Sequence, residues 1–142
     1  MGSSPFAVRY LSFGDQDYAN EVITQTVLEQ LLKQVRAGSL SSFLLSMDEY
    51  GEDDGDFLSG DIEQGWVALA FNTWDEEGEA HMYQPVNQAC SDSGENAPVD
   101  IGGQTPVLKR NALDDLHLAA ECVLHFAKTG AMYPGLQWEE FE

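Results

Sequence analysis

The strongest secondary-structure signal in the sequence is GWVALAFNT, which occupies residues 65–73. Successive side chains of a β-strand point to opposite faces, so this run predicts a strand with two distinct faces. The predicted faces carry Val67, Leu69, Phe71 and Thr73 on one side and Trp66, Ala68, Ala70 and Asn72 on the other. Residues 75–78, DEEG, predict a hairpin connection, and residues 79–85, EAHMYQP, predict the returning strand.

The segments before this strand are a second strand and a turn. Residues 42–47, SFLLSM, are typical of a strand. Residues 52–61 are interpreted as a turn, because Gly55 and Gly60 lie there among carboxylates.

Two helices are predicted, one before these strands in the sequence and one after them. The first begins at about Tyr18 and ends at Gly38, and the second begins with Asn111 as its N-cap and ends at Gly130. The apolar stripe of the first helix includes Ile23, Val27, Leu31 and Val35. The order of elements predicts an α+β fold, with a mostly antiparallel sheet of about five to six strands and two helices in a single domain over residues 1–142.

The charge of the chain is large and unevenly distributed. The 142 residues include 25 Asp or Glu and 6 Lys or Arg, which gives a formal net charge of −19. Fifteen of the carboxylates lie between Arg36 and Lys109, a stretch of 72 residues without Lys or Arg. The acidity therefore predicts a local acidic face, and it argues against direct binding to nucleic acid or to an anionic membrane, which both repel a polyanion.

The remaining global signals are few. Two cysteines, Cys90 and Cys122, are too few for a disulfide-stabilised scaffold, so a reducing cytoplasm is the expected location. No apolar run approaches the 18 or so residues of a membrane-spanning helix.

Metal-binding patterns are incomplete in this sequence. The acidic residues around Gly55 and Gly60 do not have the EF-hand spacing, which leaves an irregular Ca²⁺ or Mg²⁺ site as a weaker alternative. His117, Glu121 and His125 share one side of the second helix, a precondition for binding a metal, but packing at the sheet boundary is the simpler interpretation. We expect no metal and no cofactor.

Catalytic signatures are also missing from the sequence. It contains no Gly-x-Ser-x-Gly elbow and no family-type cysteine motif, and most carboxylates lie in polar segments where they stay ionised. We therefore expect a protein that is not an enzyme, with a small hydrolase or metal-dependent enzyme as the remaining catalytic alternative.

Aromatic residues among carboxylates predict a binding surface instead. Trp74 begins the sequence WDEE at the tip of the predicted hairpin, and Tyr50 and Phe57 also follow acidic residues. Aromatic anchors with an acidic rim are typical of a protein hot spot that faces a basic partner; the alternative is that each ring folds back onto the sheet. The predicted binding residues are the acidic Asp48, Glu49, Glu52, Asp53, Asp54, Asp56, Asp75, Glu76 and Glu77, with the aromatic anchors Tyr50 and Trp74.

Three motifs in the second half of the chain carry a family resemblance. They are IGGQTPV at residues 101–107, HFAKTG at residues 125–130 and YPGLQWE at residues 133–139. Together with the central strand, over residues 64–140, the chain resembles immunity proteins of bacterial polymorphic toxin systems, in the family paired with deaminase-type and other nucleic-acid-attacking toxins. The resemblance implies a small cytoplasmic α+β protein that binds a cognate toxin and blocks its active site without catalysis.

Charge and resemblance lead to the same hypothesis. A toxin that acts on nucleic acid has a basic cleft, and an acidic face is steered into such a cleft. We therefore expect an immunity protein that occludes the toxin, and the alternative is an acidic DNA mimic or adaptor that binds a basic host protein.

Overall fold

A computed structural model of the chain describes residues 6–14, 16–19, 22–48, 56–90, 92, 94–101 and 105–141. Within these residues the chain forms nine strands and two α-helices. The strands are β1 (Tyr10–Phe13), β2 (Gln16–Ala19), β3 (Ser42–Ser46), β4 (Phe57–Glu63), β5 (Trp66–Trp74), β6 (Ala80–Pro85), β7 (Asn96–Ile101), β8 (Thr105–Leu108) and β9 (Trp138–Phe141). The helices are α1 (Gln25–Ala37) and α2 (Leu116–Thr129).

The strands form a main sheet and a separate ribbon. In the part of the chain that is described, the main sheet has seven strands in the order β2-β1-β3-β4-β5-β6-β9, and every neighbouring pair is antiparallel. β7 and β8 pair with each other as a two-stranded ribbon. The predicted α+β fold with a mostly antiparallel sheet and two helices is confirmed, and the main sheet is wider than the five to six strands expected.

The two faces of β5 lie in two different apolar clusters, as its alternation predicts. Val67, Leu69 and Phe71 belong to the main core with the buried side chains of both helices, and the Phe126 ring of α2 meets the Phe71 ring edge-on at 5.8 Å between centroids. On the opposite face, Ala68 packs in a smaller cluster under the β7–β8 ribbon. The helices therefore cover one face of the main sheet, and the ribbon covers part of the other.

The first helix begins later than the sequence indicates. α1 starts at Gln25, after Thr24, whose hydroxyl accepts a hydrogen bond from the Val27 amide at 3.2 Å. The predicted start at Tyr18 is wrong because Tyr18 belongs to β2, where its ring stacks on Phe13 at 5.9 Å. The predicted end is confirmed, since Gly38 adopts the left-handed conformation, with φ of 69°.

The second helix begins at a different cap from the predicted one. Asp115 caps α2, and its carboxylate accepts hydrogen bonds from the amides of His117 and Leu118. Asn111, the predicted cap, is buried, and its side-chain amide donates to the Pro85 carbonyl and to Glu139. The prediction is wrong because this amide holds the end of β6 and β9 and does not face the helix amides.

β4 covers residues that the sequence predicts as a turn. Residues 57–61 of the predicted turn lie in β4, so that part of the prediction is wrong, and residues 52–55 lie outside the described residues. Gly60 pairs with Phe43 of β3, and the Phe43 ring lies over the position that a β-carbon on residue 60 would occupy. The glycine is therefore a strand residue that admits an aromatic ring from the neighbouring strand.

The structure describes both cysteines and both helices. Cys90 is half-buried and Cys122 is buried, and both are free thiols. Burial raises the pKa of the Cys122 thiol to about 12, so it stays protonated at neutral pH. Neither α1 nor α2 is long and apolar enough to cross a membrane. The cytoplasmic location stays a prediction.

Candidate partner-binding surface

The face of the main sheet opposite the helices, called here the open face, carries a row of half-buried large side chains. Trp74 lies on this face because it is an even number of residues from Ala68 on β5. The pairing of neighbouring strands places four more side chains on the same face: Tyr10, Leu44, Phe57 and Met82. All five side chains keep part of their surface exposed. The open face therefore presents apolar and aromatic area beside the ribbon.

Phe57 and Trp74 form an aromatic pair on this face. Phe57 lies opposite Asn72 in the register, so Trp74 is its diagonal neighbour on the adjacent strand. Their ring centroids are 6.0 Å apart and the ring planes are tilted by 46°. Trp74 thus packs against the sheet through Phe57 while part of its surface stays exposed, so the structure combines the two interpretations weighed from the sequence.

The acidic turn after Trp74 is organised by Asp75. One carboxylate oxygen of Asp75, Oδ1, accepts hydrogen bonds from the amides of Glu77 and Glu79, both at 2.9 Å. The backbone closes the same turn, since the Asp75 amide donates to the Glu79 carbonyl and the Gly78 amide donates to the Asp75 carbonyl. Asp75 therefore shapes the turn, and Glu76 and Glu77 are two further exposed carboxylates on it.

The other predicted acidic residues divide into two groups. Asp56 is half-buried and accepts a hydrogen bond from the Thr73 hydroxyl at 2.8 Å, so it joins the start of β4 to β5. Asp48 is half-buried just after β3, and its amide donates to the Ser46 hydroxyl. The remaining predicted binding residues, Glu49, Tyr50, Glu52, Asp53 and Asp54, lie outside the described residues.

His81 is the residue of this region that the sequence prediction missed. Its Nε2 lies 2.9 Å from Asp75 Oδ2, and its Nδ1 lies 2.7 Å from Glu140 Oε2 on β9. The carboxylates of Asp75 and, second, of Glu140 accept hydrogen bonds from the imidazole, which raises the pKa of His81 to about 9, and the same contact with His81 lowers the pKa of Asp75. At neutral pH His81 is therefore a cation that connects the acidic turn, β6 and β9, an arrangement called here the His81 bridge.

Stability should depend on pH through the His81 bridge. The pKa of His81 in the folded protein, about 9, exceeds the ordinary value of 6.5. The contribution of His81 to stability is therefore complete below pH 6.5 and is lost as the pH rises through about 9. We expect the free energy of unfolding of the wild type, measured with denaturant, to fall over this pH interval. The H81Q variant should lose less. Equal pH dependence of the two proteins, or a histidine NMR titration of His81 near 6.5, would contradict the bridge.

A second acidic area lies between the main sheet and the ribbon. An open cleft of about 400 Å³ there is lined by Ser41, Ser42, Asp61, Ile62, Glu63, Val99 and Asp100. Its three carboxylates come from the segment without Lys or Arg, yet none of them is among the predicted binding residues. Sequence alone gives no signal for this cleft, because β7 meets β4 only in the folded chain.

The acidic segment is partly neutralised in the fold. Lys109 Nζ lies 3.3 Å from a carboxylate oxygen of Glu95 and 5.9 Å from the centroid of the Trp66 ring. The His81 bridge likewise balances part of the charge on Asp75. The acidic face that remains available is therefore smaller than the count of fifteen carboxylates suggests.

Comparison with known proteins identifies no relative of this chain. Neither family models, nor curated proteins, nor solved structures give a match to the chain. The resemblance to immunity proteins stays a prediction from the sequence motifs.

Proposed function

We propose that this chain is an immunity protein that binds and neutralises a basic bacterial toxin. The binding surface is the aromatic–acidic patch, defined as Phe57 and Trp74 on the open face with Glu76 and Glu77 on the adjoining turn. The observation that carries the proposal is the half-exposed Phe57–Trp74 pair directly beside two exposed carboxylates.

The patch combines the two features that favour a basic partner. Aromatic side chains contribute much of the binding energy of protein interfaces when they enter a pocket and lose water. Exposed carboxylates at the edge steer a partner of opposite charge and raise the rate of association. Because Trp74 is already held by Phe57, it loses little side-chain freedom on binding.

A nucleic-acid-targeting toxin is the proposed partner. Such an enzyme has a basic cleft, in which carboxylates take the positions of phosphates and an exposed tryptophan stacks where a base would lie. In the acidic cleft between the sheet and the ribbon, Glu63 and Asp100 offer two further carboxylates to lysine or arginine side chains of the partner. No catalytic step is assigned to this chain, and its effect on the toxin is occlusion.

Charge reversal on the acidic turn tests the proposal. We expect the E76K/E77K double variant to slow association with a cognate basic toxin domain by about tenfold at low salt, and less at high salt, where charges are screened. The measurement is stopped-flow association at two salt concentrations.

The matched control makes the same charge reversal at two residues on the helices. Glu29 of α1 and Glu121 of α2 are exposed on the other side of the sheet, so E29K/E121K changes the net charge equally. If both double variants slow association to the same extent, only total charge matters and the patch is wrong. Capture of a nucleoid protein or repressor in place of a toxin would favour the DNA-mimic or adaptor alternative.

A further inference from the structure

Three potential metal ligands converge at the turn between β5 and β6. In the part of the chain that is described, Asp75, Glu79 and His81 are the only group of His, Cys, Asp or Glu side chains with three ligand atoms all within 4.8 Å of one another. Asp75 and Glu79 are exposed and His81 is half-buried, so an ion can reach the group directly from water.

We propose that Asp75, Glu79 and His81 bind a divalent transition-metal ion, with Zn²⁺ as the best fit. One imidazole nitrogen and two carboxylate oxygens suit Zn²⁺ and related ions, whereas Ca²⁺ and Mg²⁺ prefer oxygen ligands alone. The ion replaces the proton that His81 Nε2 shares with Asp75 Oδ2, and that proton is released to the buffer. Three protein ligands leave at least one position for water.

The orientation of the ligands is set before an ion arrives. Glu140 holds Nδ1 of His81 at 2.7 Å, which is the carboxylate–histidine contact that fixes the ring of metal-binding histidines and leaves Nε2 for the metal. The Glu77 and Glu79 amides hold Oδ1 of Asp75 and leave Oδ2 directed at the same point. The group is therefore more than a collection of exposed acids, because a histidine and a carboxylate each have one atom fixed and one atom turned to the same point.

Titration of purified, chelator-treated protein with Zn²⁺ by calorimetry tests the proposal. We expect a single site, whose affinity falls by about tenfold or more in H81Q and in E79Q. E79Q is the milder variant, because Glu79 takes part in the turn through its backbone N–H and carbonyl. E140Q removes the contact that orients the ring and should weaken binding by about 10- to 100-fold, and the NMR signal of the His81 ring should shift when zinc binds.

The control removes the other histidines. His117 and His125 lie on α2, where the His125 ring packs edge-on against Tyr133 at 5.9 Å, and H117Q/H125Q should leave the zinc affinity unchanged. Zinc binding that survives in H81Q, that disappears in H117Q/H125Q, or that is absent from the wild type would overturn the proposal. The experiment uses metal alone, so its outcome is independent of whether the chain binds a toxin.

Discussion

Replacing Trp74 by alanine is expected to weaken binding of the basic partner by about 2–4 kcal/mol, a factor of about 30 to 1,000. The reason is that Trp74 has the larger ring of the two half-exposed aromatic residues in the aromatic–acidic patch, and its ring centroid lies 6.0 Å from that of Phe57. The free energy of unfolding should fall by less, by about 0.5–1.5 kcal/mol, because the variant loses the ring pair and little buried core. Calorimetry of the complex and denaturant unfolding of the free chain measure the two effects.

Two variants make this result interpretable. W74F keeps a ring in the same position and should retain most of the affinity. W138F alters a tryptophan on the helix side of the sheet, where the Trp138 indole donates to the Tyr133 carbonyl at 3.0 Å; it should lower stability and leave binding unchanged. If W74A is folded and binds as tightly as the wild type, Trp74 is not the anchor.

Replacing Gly60 by valine is expected to destabilise the fold by about 1–3 kcal/mol, although valine is a favourable strand residue. A β-carbon at residue 60 would overlap the Phe43 ring, which lies across the glycine from the neighbouring strand. Urea unfolding should show a lower midpoint with an unchanged slope.

The control for this substitution is another glycine with open surroundings. Gly94 has no atom near the position of an added β-carbon, so G94V should change the free energy of unfolding by about 0.5 kcal/mol or less. Shortening the ring in the F43L/G60V double variant should recover part of the loss, since the two positions are in contact. A G60V protein as stable as the wild type would show that the ring does not depend on the glycine.

Gly60 also shows where sequence patterns stop being informative. Gly60 and the carboxylates around it have the composition of a turn. Its role as a strand residue of β4 depends on the Phe43 ring, which belongs to another strand. The alternation of β5 was predictable because it depends on residues within one strand, and Gly38 and Gly130 were predictable because helix ends are local. The start of α2 was not predictable, because Asn111 and Asp115 are both good caps and the choice between them depends on contacts of Asn111 with β6 and β9.

The candidate site divides in the same way. Trp74 and the acidic turn were predictable, because both follow from the hairpin in the sequence. His81 lies opposite Thr73 in the same hairpin, so its contact with Asp75 could have been predicted from the sequence. Its contact with Glu140 could not, because Glu140 is 59 residues away and reaches His81 only through the pairing of β6 with β9.

We propose that a basic toxin covers the open face at Trp74. Fluorine NMR of the chain with fluorine-labelled tryptophan tests it directly, because the three tryptophans lie in three different places: Trp74 on the open face, Trp66 by the ribbon and Trp138 on the helix side. With the Trp74 signal assigned from W74F, saturation with the toxin domain should shift that signal and protect it from a soluble quencher, and leave the Trp138 signal in place. A complex in which the Trp138 signal moves and the Trp74 signal does not would place the partner on the other side of the sheet and contradict binding at Trp74.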